Sequence, residues 1–224
     1  QGVIVCGGTG LFLKHLIEGL VHAHPGDPAY RAEMEERIRR EGLGSLRAEL
    51  RRVDPLREAE IFPNDPFRVM RALEIFHTTG KTMSQWHAED AESRTLRPHL
   101  YYVLQRPTPE LDARIFARID AMMEAGWLRE VEALLERFPR TTRCFKALGY
   151  RELMETVLDS RPLPEALQEI KTKTRQFAKR QRTWFRGVRQ NPAYNVREVN
   201  LSETPHEVLL EELVTRAEEF FSQI

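Results

Sequence analysis

Val3-Ile4-Val5-Cys6-Gly7-Gly8-Thr9-Gly10, followed by Leu11, Leu13, Leu16, Ile17 and Leu20, is the stretch that decides the fold. Four apolar residues end in a glycine-rich turn, and the leucines then recur at helical spacing. That order reads as a buried strand, a tight turn and a helix, the unit from which parallel α/β sheets are built. One strand cannot make a sheet, and few other strand candidates follow. The expectation is an α/β core whose earlier strands lie before Gln1. Such a turn at a helix N-terminus can also cradle an anion through backbone N–H groups. The stretch does not match GxxxxGK[ST], and Lys14 falls too far along for a phosphate-binding lysine. A structural turn and a ligand site both remain open for it.

Beyond Leu20 the pattern is helical. A loop from His22 to Pro28 leads into a charged helix over Ala29 to Arg40, and Gly42-Leu43-Gly44 separates it from a helix over Ser45 to Val53. Asp54-Pro55 and Asp65-Pro66 each start a helix, with the aspartate as cap and proline at the first helical position. The second of these ends at Thr79-Gly80 and has Val69, Ala72, Leu73 and Phe76 as its core face. A β-rich stretch spans Leu100 to Leu104. Thr108-Pro109 opens a long helix with Leu111, Ile115, Ile119 and Met122 on one stripe, and a second helix follows Gly126. Further helices are expected over Tyr150 to Leu158, from Pro164 to about Val188 and from Pro205 to Phe221, with a strand over Val196 to Leu201.

Composition bounds the function classes. Hydrophobic residues make up 41% and charged ones 30%, the balance of a globular protein with an ordinary core. No run of about 18 apolar residues occurs, so no membrane partner is expected. Cys6 and Cys144 are far apart and outside any CxxC pair, which reads as two buried thiols in a cytoplasmic protein. Formal net charge is zero, yet the segment from Ile170 to Arg197 contains no acid and nine cations. The rest of the chain is correspondingly acidic, and a polyanion responds to the local field.

The basic segment is the strongest motif. Arg175, Lys179, Arg182 and Arg186 recur at i, i+4, i+7 and i+11 on one helical face. Phe177, Gln181, Trp184 and Val188 line the adjacent face. Guanidiniums at helical pitch suit successive phosphates, and aromatics between them suit unpaired bases. A merely solvated helix would interleave acids for i, i+4 pairing, and none is interleaved here. Weaker signals accompany it. Arg114 and Arg118, and Phe145-Lys146-Ala147-Leu148-Gly149-Tyr150-Arg151, carry little specificity alone. His22 and His24 have no third ligand at metal-site spacing, and Glu35-Glu36 reads as solvated.

In order along the chain, these segments resemble the tRNA dimethylallyltransferase (tRNA isopentenyltransferase) family. The matching pieces are Val5 to Phe12; Glu18-Gly19-Leu20; Asp27-Pro28; Val53-Asp54-Pro55; Pro63-Asn64-Asp65; Arg68 to Glu74 with Thr79-Gly80-Lys81; Arg114-Ile115 with Arg118; Gly149 to Glu152; and Thr174 to Gln176 through Lys179 to Gln181 and on to Thr183-Trp184. The resemblance covers nearly the whole chain to about Arg189. It implies a P-loop NTPase-like, nucleotide-binding α/β core, represented here by residues 1–28 and 100–224. A mostly α-helical insertion domain over 29–99 would bind tRNA.

The implied reaction moves a dimethylallyl group from dimethylallyl diphosphate, with Mg²⁺, to N6 of the adenosine next to the anticodon. Carried over position by position, the catalytic residues would be Thr9, near the adenosine, and Arg118, on the diphosphate. tRNA contacts would come from Arg31; from Phe67, Arg68, Val69, Met70 and Arg71; from Lys146, Ala147, Leu148, Gly149, Tyr150 and Arg151; and from Lys179, Arg180, Gln181, Arg182, Thr183, Trp184, Phe185 and Arg186. The expected partner is the anticodon stem-loop, and the expected state a monomer. Phe12 departs from the usual tyrosine, and Lys146 stands where some relatives have arginine. In the family a P-loop and an aspartate proposed as general base precede the matched segment. Neither occurs in this sequence, and activity is expected to require them. A noncatalytic tRNA-binding fragment and a prenyltransferase of free adenine nucleotides remain the alternatives.

Overall fold

Three Asp-Pro pairs organise the first half of the molecule. Asp27 accepts the Ala29 and Tyr30 amides, each at 3.0 Å, Asp54 accepts the Arg57 amide, and Asp65 accepts the Arg68 amide. Each aspartate satisfies otherwise orphaned N–H groups while the following proline, which has none to satisfy, starts the turn. The computed structural model describes residues 3–19, 25–93 and 95–222; the His22/His24 pair and Leu20 lie outside them. Its helices in this half are α1 (Gly10–Glu18), α2 (Pro28–Glu41), α3 (Leu43–Val53), α4 (Pro55–Glu60), α5 (Pro66–Thr79) and α6 (Met83–Ser93). Gly80 closes α5 at φ 70°, a left-handed conformation that favours glycine.

The second half contains β1 (Tyr101–Gln105), α7 (Thr108–Glu124), α8 (Trp127–Arg137), a short 3₁₀ turn (Arg143–Lys146), α9 (Tyr150–Leu158), the 28-residue α10 (Leu163–Gln190), β2 (Val196–Asn200) and α11 (His206–Ser222). β1 and β2 pair in parallel, Tyr101 opposite Val196 through Gln105 opposite Asn200. Parallel pairing requires a long crossover, and the segment from α7 to α10 supplies it. The fold is α/β in this coarse sense: helices with one small parallel sheet among the described residues.

Two compact units result, residues 11–98 and residues 99–224 together with 1–10. α1 therefore goes largely with the helical unit, although the sequence reading placed residues 1–28 with the core. The Arg97 amide and guanidinium donate to the Ile17 and Leu16 carbonyls at 2.9 and 3.0 Å, which ties down the end of α1. The helical unit is filled by Met34, Leu46, Leu50, Val69, Ala72 and Leu73. The other is filled by Ile119, Trp127, Val131, Phe145, Leu153 and Ile170.

Several expectations are corrected. Val3 to Cys6 is not a buried strand: Val3 and Ile4 are 79% and 80% exposed, and no described segment pairs with them. A β conformation without a neighbouring ladder has neither hydrogen bonds nor burial to fix it. Cys6 is exposed and Cys144 half-buried, so neither is a buried thiol. Phe76, expected in the core face of α5, is half-buried, while Met70, Glu74 and Ile75 are buried. α6 was not foreseen, because it has little apolar periodicity. Its start was nonetheless legible: Thr82 and Gln85 exchange side-chain-to-amide hydrogen bonds as a capping box. No described helix is long and apolar enough to cross a membrane.

Candidate nucleic-acid interface

The structure divides the cations of α10 by partner. Lys171 pairs with Asp120 of α7 at 2.7 Å and Arg175 with Asp112 of α7 at 2.9 Å. Lys173 meets both Glu152 of α9 and Glu169 of its own helix at 2.6 Å. At the end of α10 Arg189 pairs with Glu198 of β2, and Arg197 of β2 pairs with Glu212. Lys179, Arg180, Arg182 and Arg186 have no carboxylate partner among the described residues, and all four are exposed. Arg180 lies over the Phe177 ring at 5.7 Å, and Arg182 donates to the Thr108 hydroxyl. The expected row of Arg175, Lys179, Arg182 and Arg186 thus loses Arg175 to Asp112 and gains Arg180. Beyond Glu169 the helix has no acid of its own, and carboxylates reach its middle from α7 and α9.

Beside this helix the Lys146 to Arg151 segment forms one wall of a depression of about 320 Å³. Lys146, Leu148 and Arg151 line it on one side, and Lys173, Gln176 and Arg180 of α10 on the other. The two motifs read separately in the sequence therefore converge. Lys146, Ala147 and Leu148 are exposed. Gly149 is buried at φ 92°, and a Cβ there would lie 2.2 Å from the Trp127 ring. Its amide donates to the Glu152 carboxylate at 2.7 Å. Gly149 is thus a packing glycine with its donor already engaged, not a surface contact. Tyr150 is half-buried, with its hydroxyl donating to Glu130 at 2.8 Å and its ring edge-on to Trp127. Arg151 is exposed and bonded to Glu155.

Glu152, absent from the sequence expectations as a site residue, holds this wall in place. Burial pushes its carboxyl pKa up, but the Lys173 ammonium and the amide donors at the N-terminus of α9 outweigh burial and hold it below the usual range. Its position three residues after Gly149 is the capping-box spacing, which could have flagged it. Glu74 plays a similar part in the helical unit. It is fully buried and accepts from Arg31, Arg71 and the Asp27 amide. Burial pushes it up, and those donors more than offset the push. Arg31 and Arg71 are thereby gathered on one carboxylate, while Arg68 folds back onto Asp65. Phe67 is 77% exposed. Val69 and Met70, expected to touch tRNA, are 0% and 6% exposed core residues whose side chains are withdrawn from any surface ligand.

Thr9 is exposed between Gly8 and Gly10. Arg118 is exposed on α7, one turn beyond Arg114. Neither Thr9 nor Arg118 has a side-chain hydrogen bond or ion pair among the described residues. Gln181 and Trp184 face the glycine turn rather than the solvent side of Lys179 and Arg182: Gln181 Nε2 donates to the Gly8 carbonyl at 3.0 Å, and Trp184 rests on Gly10. Phe185 is half-buried against Tyr101, and Thr183 donates to the Lys179 carbonyl within the helix. Among the described residues no three His, Cys, Asp or Glu side chains gather to hold a metal ion. Of the buried carboxylates, Glu58, Glu74 and Glu152 are each bound by arginine or lysine, and Asp54 accepts the Arg57 and Ser84 amides. The described side chains therefore gather no ready-made set of ligands for a Mg²⁺ held by protein alone.

The chain is similar to known proteins over most of its length. The chain is 41% identical over 184 residues to tRNA dimethylallyltransferase 1 of Trichlorobacter lovleyi, covering 82% of this chain and 60% of the relative. It is 45% identical over 188 residues to the tRNA dimethylallyltransferase of Syntrophobacter fumaroxidans, covering 82% and 54%. It thus spans somewhat over half the length of these relatives. Among solved structures, the full-length tRNA isopentenylpyrophosphate transferase of Bacillus halodurans aligns with a TM-score of 0.57 at 28% identity, covering 96% of this chain and 65% of that one. A eukaryotic dimethylallyltransferase acting on tRNA shares the fold with a TM-score of 0.74 at 22% identity, covering 97% and 56%. The sequence pattern of IPP transferases matches residues 1–188, and the chain belongs to the IPP transferase family.

Proposed function

We propose that this chain is the tRNA-gripping and partly catalytic portion of an enzyme that prenylates tRNA. The observation that carries the reading is the cluster of Lys179, Arg180, Arg182 and Arg186, which lacks carboxylates, beside a groove walled by Lys146 and Arg151. Cations already matched by acids release few counterions on binding RNA, whereas unmatched ones supply the affinity. The similarity to tRNA dimethylallyltransferases supplies the substrate class. In this reading the group transferred is dimethylallyl, and the acceptor is N6 of the adenosine next to the anticodon.

The N6 lone pair forms the new bond to C1 of the prenyl group. The C1–O bond to diphosphate breaks, and the N6 proton passes to a base. The adenine must leave its stack to react, at a cost met by contacts to the arm around it. Arg118 takes the departing diphosphate, and Thr9 lies beside the adenine. Mg²⁺ enters as the counterion of the diphosphate substrate, not as an ion held by the carboxylates described above. The complete enzyme has a P-loop-type core to which β1 and β2 belong, acts as a monomer and works in the cytoplasm.

The test is label transfer from radioactive dimethylallyl diphosphate by the full-length protein, with an anticodon stem-loop and free AMP offered in competition. Label should appear on the stem-loop and fall steeply with added salt. Equal labelling of AMP would point to a nucleotide prenyltransferase. Binding of the stem-loop without transfer would point to a noncatalytic grip.

A further inference from the structure

α10 has a second face with a different task. Residues two apart on a helix differ by about 200°, so Gln181 lies across the helix from Lys179 and Trp184 across from Arg182. The sequence pattern puts Gln181 and Trp184 on the face beside the cations, with Trp184 as an aromatic for bases to stack on; their contacts lie elsewhere. Gln181 Nε2 donates to the Gly8 carbonyl at 3.0 Å. A Cβ on Gly8 would fall 2.2 Å from that nitrogen, and a Cβ on Gly10 would fall 2.0 Å from the Trp184 ring. At Gly10 the Trp184 ring thus leaves no room for a side chain, whereas a Cβ on Gly8 would push aside the Gln181 amide and break its bond to the turn. Thr9 sits between them, exposed, with its backbone held on both sides.

Downstream the turn runs into α1 at Gly10, and upstream no described contact fixes it. Val3, Ile4 and Val5 are exposed and in no sheet, so the bracing from α10 is what sets the position of the Thr9 hydroxyl. We infer that Gln181 and Trp184 are positioning residues for Thr9, so that one helix both grips the tRNA on its cationic side and sets the reaction-side threonine on the other. The inference rests on the reading of Thr9 as a residue beside the reacting adenine.

Two measurements on the full-length protein judge it. The first is amide hydrogen exchange at Gly8 to Leu11 in Gln181→Ala and Trp184→Phe. Exchange there should accelerate while the amides of α9 keep their protection. Unchanged exchange at the turn would overturn the bracing itself, whatever the protein's activity. The second is steady-state prenyl transfer beside tRNA affinity. Gln181→Ala should lower kcat roughly 10- to 100-fold, the scale of an ångström-sized misplacement, with the tRNA Kd unchanged within twofold. A raised Kd with kcat preserved would make Gln181 a tRNA contact and overturn the assignment. Gly10→Ala, which drives a methyl into Trp184, should lower kcat in the same way, and Trp184→Ala added to it should recover part of the loss. A further loss instead would count against Trp184 acting through the turn. If the unaltered protein transfers nothing, the proposed function fails, and the exchange measurement still decides the bracing.

Discussion

Lys171, Lys173 and Arg175 in the middle of α10 each face a carboxylate, whereas Lys179, Arg180, Arg182 and Arg186 further along face none among the described residues. The two stretches look alike in sequence, both acid-free runs of cations on one helix. They differ because α7 and α9 bring the carboxylates of Asp112, Asp120 and Glu152 to the first, whereas the second meets α7 through the neutral Thr108 hydroxyl on Arg182. The earlier cations are structural, joining α10 to its neighbours. The later ones keep their counterion atmosphere and can give it up to a phosphate backbone.

Removing the best-paired cation should give the largest effect. Lys173→Met leaves Glu152, whose side chain is 3% exposed, with the Gly149 amide but without its ammonium partner. An uncompensated buried carboxylate costs several kcal/mol. The Lys173 side chain is 37% exposed, so the expected loss of unfolding free energy in urea is about 2 kcal/mol. Lys179→Met, on the unpaired stretch, should change it by less than about 0.5 kcal/mol. Equal costs at the two positions would erase the distinction.

Binding should show the reverse. Lys179→Ala with Arg186→Ala removes the same formal charge as Lys171→Ala with Arg175→Ala. The first pair should weaken stem-loop binding about tenfold at moderate salt and reduce the slope of log K against log salt by about 1.5, near 0.7–0.9 per lost phosphate contact. The second should move the slope by less than about half a unit, because its charges are already matched by Asp120 and Asp112. Matching slope changes for the two doubles would mean that the ion pairs open on binding and that formal charge alone counts.

Much of this was legible in the sequence, and the boundary has a physical reason. The Asp-Pro starts, the Gly80 stop and the span of α10 were readable because caps and breakers act within a few residues. The basic segment was visible for the same reason. The paired and unpaired stretches were not separable, because Asp112, Asp120 and Glu152 are 63, 51 and 21 positions away from Arg175, Lys171 and Lys173, and only packing brings them together. Gly8 and Gly10 read equally well as a phosphate cradle or a plain turn. What they adjoin, Gln181 and Trp184, lies about 170 residues further on (173 for the Gly8–Gln181 bond). Val69 and Met70 were carried into the site with their neighbours Phe67 and Arg68, although helical spacing alone turns Val69 inward.

Acid should separate the two stretches by the smallest margin. Glu169 is held by hydrogen bonds from Lys173 and Arg161, which bring its pKa from 4.5 to about 2, and Glu152 is also below its ordinary range. A carboxylate lowered in the fold stabilises it fully above its unfolded pKa and loses that contribution as pH falls towards its folded pKa. The paired stretch should therefore lose stability as pH falls from about 4.5 towards about 2. Lys173→Met removes the strongest hydrogen bond holding Glu169 ionised and a main counterweight to burial at Glu152, so the fall in unfolding free energy across that window should be shallower than in the unaltered protein. Lys179→Met has no carboxylate to release and should leave the slope as it was. Glu169 is partly exposed, so the difference between the two variants should be small and should shrink further in high salt. Identical acid slopes for the two methionine variants would show that the Lys173 pairs contribute nothing to acid stability.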